Sequence, residues 1–344
     1  MRDWEAAGRT PLRGEREAVM TLASACENFK QDAKARNLKD KTIYKYRLLF
    51  KRLEEFACGV ALADIDFALL TRFRATWKEN NLAALNKLGR LKTFFRFCRD
   101  NGWSSENPAD RLKNPRVSQA PTLPFTQDEM FALLRSLSEN IELAADSAKN
   151  NARRLRALVL LLRYSGLRIG DAVGCSVERL ADGKLRLYTA KTGQHVHCPL
   201  PEFVVKELEA TPRTSERFWF WSGTGHLQSA VSNWQMRLAA VFKDEKGNSR
   251  VMLANGQGIV NGHAHRFRDT YAVELLLAGV PIERVSIMLG HSSVRITEKH
   301  YSPWVRERQE QAEADVRRAW LRDPIVLIST KGTPEGHSEG EPVM

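Results

Sequence analysis

Nowhere in this chain is there an apolar run long enough to cross a bilayer. The longest, in "LRALVLLLRYSG", is broken by Arg156 and Arg163, whereas a spanning helix needs about 20 predominantly apolar residues. Cysteine is scarce and scattered. Cys26, Cys58, Cys98, Cys175 and Cys198 form no Cys-x-x-Cys pair, and an odd, unpatterned set fits a reducing compartment better than a disulfide framework. The opening residues, "MRDWEAAGRTPLRGERE", have no apolar core of the signal-peptide kind, so a cytoplasmic location without membrane association is expected. No "GxxxxGK" stretch is present to bind ATP. Gly256 and Gly258 fall in a loop with no preceding strand, which argues against a dinucleotide site.

What the chain does have is positive charge. Its 344 residues carry 53 Lys or Arg against 41 Asp or Glu, a formal net charge of +12. The excess is concentrated between residues 20 and 116, where 20 basic side chains face 11 acidic ones. That favours a polyanionic partner, nucleic acid ahead of an anionic membrane surface. A basic solubilising face would carry the same charge. The length is sufficient for two domains, each with its own core.

The basic region reads as a small domain of about four helices. In "DKTIYKYRLLFKRLEEFACG", Asp40 is expected to cap, and Ile43, Tyr46, Phe50 and Leu53 recur at helical spacing before Gly59 stops the run. "NLAALNKLGRLKTFFRFCRDNGW" repeats the design, with Leu88, Leu91, Phe94 and Phe95 apolar among five basic residues. "LASACENFKQDAKARN" and the segment from Leu69 to Trp77 complete the set. The aromatics are expected to fill the core, and the basic faces to lie along phosphates.

"NPADRLKNPRVSQAPTLPF", with four prolines and no periodicity, reads as a domain boundary. Thr126 and Glu129 then form a capping-box signature. Beyond a buried helix and a turn comes the clearest strand region, "GKLRLYTAKTGQHVHCPLP", two strands joined at Thr192-Gly193. Alternation there places His195 and His197 on one face and Cys198 on the other, so the three are not expected to share a zinc ion. Helices are expected at 266–277 and 281–289. The division read from the text is an extension at 1–19, a helical domain at 20–108, a linker at 109–124, a second domain at 125–305, a helix at 306–328 and a flexible tail at 329–344.

Isolated cationic groups recur in the second domain. Arg168 follows a helix-ending glycine in "YSGLRIGD". Lys191 sits at the hairpin tip in "TAKTG". His265 and Arg268, three apart in "HAHRFRDT", share one helical face. His291 follows Gly290 in "LGHSS", and Tyr301 closes the series in "TEKHYSP" at what reads as a helix boundary. Each has an ordinary structural reading: an ion-pair donor, a surface lysine, a packing tyrosine. Taken together they suit phosphoryl transfer through a covalent tyrosine intermediate. Two guanidinium groups can hold the non-bridging oxygens of a phosphodiester and stabilise the charge that grows on them. A tyrosine with an ordinary pKa near ~10 needs cations and a base to become a nucleophile. A lysine on a flexible hairpin suits protonation of the leaving 5′-oxygen.

In this order and spacing, "SGLRIGD", "AKTG", "HRFRDT", "LGHSS" and "TEKHYSP" resemble the tyrosine recombinase, or phage integrase, family of site-specific recombinases. The resemblance runs over residues 20 to 305. It implies a mainly α fold with a small β-sheet: a helical, SAM-like core-binding domain and a mixed α/β catalytic domain, closing as a C-shaped clamp on duplex DNA. It implies a catalytic set of Arg168, Lys191, His265, Arg268, His291 and Tyr301. The arginines would clamp the scissile phosphate, His265 would accept a proton and His291 would bond the phosphate. Lys191 would protonate the leaving group, and Tyr301 would link to a 3′-phosphate. Strand exchange within a homotetramer on double-stranded DNA follows, with a monomer or dimer when free. Neither metal nor cofactor is expected, and the role would be integration or excision for a mobile element. Asp269 departs from the second histidine of many members and is expected to lie outside the catalytic set. A type IB topoisomerase, which nicks and reseals one duplex with nearly the same groups, remains open as an alternative, as does a non-catalytic DNA-binding protein on the same fold.

Overall fold

The computed structural model describes residues 20–117 and 123–322, except for the side chains of 306–308 and 311. The expected extension at 1–19 and tail at 329–344 lie outside the described residues. The chain divides into two compact units, Met1–Ala120 and Pro121–Met344.

The first unit is built from α1 (Leu22–Ala35), α2 (Asp40–Ala57), α3 (Phe67–Ala75) and α4 (Asn81–Asp100). Three of the four starts are capped by short polar side chains. Thr21, Asp66 and Asn80 accept from the backbone N–H groups of Ser24, Leu69 and Ala83, which the first turn cannot satisfy internally. Asp40 does not cap. It is the first residue of α2, with Lys39 at the cap position, where its carboxylate still meets the positive end of the helix. The apolar spacing closes a core in which Phe29, Phe50 and Phe94 meet ring to ring with centroids 4.7 to 5.8 Å apart. All three are buried. Ala109 and Leu112 are buried in the same core, so the segment read as a linker from 109 begins inside this unit.

The second unit holds α5 (Gln127–Leu143), α6 (Asp146–Ser165), α7 (Ile169–Val173), a sheet, α8 (Glu202–Ala210), α9 (Leu227–Phe242), α10 (Ala264–Leu277), α11 (Ile282–Met288) and α12 (Val294–Trp320). The capping box forms: Thr126 accepts from the Glu129 N–H, and Glu129 accepts in return from that of Thr126. Residues 157 to 162 of α6 are at most 1% exposed, because α5, α8 and α10 pack around them. Cutting Leu160 back to alanine would cost about 2–5 kcal/mol.

The sheet is antiparallel in the order β1 (Leu180–Ala181), β2 (Lys184–Tyr188), β3 (His195–Pro199). Leu185 lies opposite Cys198 and Leu187 opposite Val196, all buried, while His195 and His197 are exposed on the other face. The described residues include no helix long and apolar enough to cross a membrane.

One element differs from expectation. Tyr301 is not at a helix boundary but inside α12, which runs on through Pro303 to Trp320. The separate helix expected from 306 is therefore the continuation of the helix that carries Tyr301. α10 is buried on nearly every side, Arg266 and Arg268 included.

Candidate active site

α10 is the platform of the site, and buried polar contacts hold its first turn. His263 caps it, its Nδ1 accepting from the N–H of Arg266. The Arg266 guanidinium stacks 4.1 Å over the Phe125 ring, pairs with Glu129 and donates to the carbonyls of Leu123, Pro124 and Val260. The Phe125 N–H donates to Thr270 Oγ1 at 2.8 Å. Arg266 thus ties the capping box of α5 to α10. It had drawn no attention in the sequence, where it stands between two of the site residues.

From that platform Arg268 points inward and is 2% exposed. Its Nη1 donates to the carbonyl of Gly166 and its Nη2 to that of Leu289, both at 2.7 Å. These carbonyls end α6 and α11, so one side chain joins the "SGLR" turn to the "LGHS" turn. Gly166 has φ +62°, and a Cβ on it would fall 2.4 Å from the Tyr271 ring. Gly290, at φ +61°, comes so near Thr189 and Val196 that a Cβ would lie 2.8 Å from each. Only glycine fits either turn without displacement.

Arg168 stands beside Arg268 at the cap position of α7. Its Nη1 is buried with no hydrogen-bond partner among the described residues. A buried, unpaired guanidinium nitrogen is costly unless an anion completes it. Lys191 is exposed in the turn between β2 and β3, and two hydrogen bonds tie that turn to the rest of the unit. Asp171 Oδ1 accepts from the N–H of Ala190 at 2.8 Å, and Thr192 Oγ1 donates to the carbonyl of Gly290 at 3.0 Å. Arg168, Lys191 and His265 line one cavity of about 450 Å³, with Gln235, Gly262 and His263. A larger cavity of about 600 Å³ in the first unit is lined by Phe56, Phe73, Trp77, Arg52, Lys78 and Lys87. It contains neither tyrosine nor histidine, so chemistry rather than size selects the smaller one.

His291 is half-buried, with Nδ1 2.8 Å from the hydroxyl of the buried Thr297. Burial, then the nearby cations Arg268 and Arg168, lower its pKa to about 3. The ring is neutral near pH 7. Arg268 is lowered to about 10 by burial and by Arg168, and remains a cation. His265 is lowered by loss of hydration at its protein-facing edge, against the opposing pull of Asp269.

Tyr301 is 2% exposed. Its hydroxyl donates to Asp269 Oδ1 at 2.8 Å. Burial and the Asp269 carboxylate raise its pKa, and Arg268 and Arg168 oppose them. Asp269 Oδ1 also lies 3.8 Å from His265 Nε2. The residue expected to lie outside the site is thus the one that bonds the tyrosine, and His265, expected to take its proton, makes no hydrogen bond to it. Nothing in the sequence could show this, because Asp269 and Tyr301 meet only through the packing of α10 against α12.

The "Phage integrase family" profile matches residues 125–304. Tyrosine recombinase XerC of Chlamydia muridarum (strain MoPn / Nigg) is 25% identical over 236 residues, 68% of this chain and 70% of that protein. Among solved structures, the Tn1549 transposon integrase in complex with transposon right end DNA superposes with a TM-score of 0.60 at 16% identity. That match covers 86% of this chain and all of the other. A lambda integrase tetramer bound to a Holliday junction gives a TM-score of 0.53 at 15% identity, covering 85% of each chain. At such identities the structures speak for the fold alone.

Proposed function

This chain belongs to the phage integrase family, and we propose that it recombines double-stranded DNA site-specifically with Tyr301 as its nucleophile. The protein is a tyrosine recombinase: it cuts DNA and rejoins it. What remains to be assigned is which side chain does what, and the buried Nη1 of Arg168, without a partner among the described residues and beside Arg268 and Tyr301, is the observation that carries the assignment.

Arg168 and Arg268 take the two non-bridging oxygens of the scissile phosphate, completing the hydrogen bonds of Arg168 and stabilising the charge of the transition state. His291, neutral and backed by Thr297, donates its outer N–H to the same phosphate. Tyr301 attacks phosphorus and becomes joined to the 3′ side, and Lys191 gives a proton to the departing 5′-oxygen. The covalent bond keeps the energy of the phosphodiester, so rejoining requires neither ATP nor a resident metal. The basic helices of the first unit supply phosphate contacts. The Tn1549 and lambda integrase chains that share this fold were solved on DNA, the latter as a tetramer. A tetramer on DNA, assembled from monomers or dimers in the cytoplasm and serving integration or excision of a mobile element, is the matching proposal here.

The test is a nicked duplex that traps the covalent adduct. Wild type and Tyr301→Phe are compared on a denaturing gel, in EDTA and without ATP. The expected result is a protein–DNA band that only the wild type forms, with recombinant junctions beside it. Supercoil relaxation without junctions would point to a topoisomerase, and binding with no adduct would leave a DNA-binding protein.

A further inference from the structure

We infer that Asp269 is the proton acceptor for Tyr301 during strand cleavage. The inference rests on reading Tyr301 as the nucleophile and goes beyond it by naming the base. The bond from the phenol to Asp269 Oδ1, at 2.8 Å, is the one hydrogen bond the Tyr301 hydroxyl makes among the described residues. General-base transfer needs that reach. The contact is sheltered: Tyr301 is 2% exposed and the Asp269 side chain 14%. His265 stands near the same oxygen, its ring Nε2 3.8 Å away and its side chain 62% exposed. A proton received by Asp269 therefore has an exposed imidazole close by.

The step balances without any further reactant. The Tyr301 O–H bond breaks and its proton passes to Asp269 Oδ1. The Oη–phosphorus bond forms as the phosphorus–O5′ bond breaks, and the departing O5′ takes a proton from Lys191. Rejoining runs the same transfers backwards, Asp269 returning the proton to the phenol as Oη leaves phosphorus. A carboxylate is a weak base beside an ordinary phenol of pKa about 10. The proton consequently moves late, once bonding to phosphorus has drained electron density from Oη. A kinase aspartate accepts its substrate's hydroxyl proton in the same way. Burial and the Asp269 charge keep the phenol protonated before DNA arrives, so the nucleophile forms only when a phosphate is present.

The experiment begins by selecting, from a pool of nicked duplexes, those that the wild-type protein holds covalently under denaturing conditions. If none is captured, it is the recombinase reading that fails. On a captured duplex, single-turnover adduct formation is measured for the wild type, Asp269→Asn, Asp269→Glu and Lys191→Ala. Each is assayed with the natural phosphate and with sulfur in place of the bridging 5′-oxygen. Asparagine still accepts the tyrosine's hydrogen bond but cannot take its proton, which separates position from proton transfer.

Asp269→Asn is expected to slow adduct formation by about 10²–10⁴-fold on both substrates, and Asp269→Glu to recover at least tenfold of that loss. Lys191→Ala is expected to be slow on oxygen and restored on sulfur, whose leaving thiolate needs no acid. Asp269→Asn within threefold of wild type, or faster, at unchanged duplex affinity would overturn the inference. Restoration of Asp269→Asn by sulfur would overturn it as well. Should the asparagine variant not fold, Asp269→Ala is assayed with added formate. Acceleration that rises with formate concentration supports the assignment, and its absence in a folded protein refutes it.

Discussion

Arg268 donates from Nη1 to the carbonyl of Gly166, 102 residues away in the chain, at 2.7 Å. Its other terminal nitrogen holds Leu289. The same guanidinium thus ties two chain turns together and is proposed to hold the scissile phosphate. Its neighbour Arg168 has a buried nitrogen bonded to nothing described. The two arginines should respond differently to removal. Arg268→Ala leaves two carbonyls without donors and is expected to cost about 3 kcal/mol of stability, along with cleavage. Arg168→Ala removes a buried nitrogen that has no partner among the described residues and is expected to leave stability unchanged or raise it by about 1 kcal/mol, yet to slow cleavage by about 10²–10³-fold. Urea unfolding and single-turnover cleavage on the two variants measure the contrast, and equal destabilisation of both would contradict it.

Asp171 holds the backbone next to Lys191. It is 7% exposed and accepts from the N–H of Ala190, the residue before the lysine. Asp171→Ala removes that hold and is expected to cost about 1–3 kcal/mol. It should also slow cleavage of an oxygen-bridged duplex at least tenfold by letting Lys191 swing out of line. With sulfur at the bridging position the leaving group needs no acid, so the same variant is expected to approach the wild-type rate. A loss of the same size on both substrates would mean that Asp171 acts on binding or on Arg168.

The parts of this molecule that could be read in advance are those that local chemistry decides. Thr126 and Glu129 form their capping box because the spacing of three is itself the geometry. Leu185, Leu187, Val196 and Cys198 face inward because strand side chains alternate. The six proposed site residues could be picked out because their short texts occur together in one order. What stayed hidden depends on surroundings. α10 shows no amphipathic stripe because it is buried nearly all round, with charges at Arg266 and Arg268 that a sequence pattern reads as surface. Pro303 suggests a helix end just after Tyr301. α12 nevertheless continues through it, although residue 303 has no N–H to give to the carbonyl of Lys299. Asp269 looked like a departure from a pattern, and its bond to Tyr301 appears only when α12 lies against it.

His291 should stay neutral throughout the working pH range. Burial and the cations Arg268 and Arg168 bring its pKa to about 3, against about 6.5 for an ordinary histidine. As pH falls below that ordinary value, the unfolded chain takes up the proton first. The site therefore contributes stability that is present above about pH 6.5 and is lost as pH falls towards the folded pKa. The C2–H resonance of His291, assigned by comparison with His291→Gln, is expected to be flat from pH 8 to pH 5. A titration midpoint near 6 would show that the ring is solvated or paired with an anion, and would remove the neutral donor from the mechanism.

The Glu129–Arg266 pair should matter to stability in an asymmetric way. Both side chains are buried, and Glu129 also accepts from the Thr126 N–H in the capping box. Glu129→Ala strands a guanidinium in a low-dielectric site and opens the start of α5. Arg266→Ala strands the carboxylate and three carbonyls. Each single variant is expected to lose about 3–5 kcal/mol, because an uncompensated buried charge remains. The double variant Glu129→Gln with Arg266→Met keeps the capping bond, since glutamine also accepts from the Thr126 N–H, and keeps an apolar stem over Phe125. Its loss should be smaller than the sum of the two corresponding single losses, because neither charge is left unpaired. Denaturant unfolding of the four proteins in this cycle measures the coupling. Additive losses would mean that the two charges act independently, and that Arg266 anchors α10 through its carbonyl contacts alone.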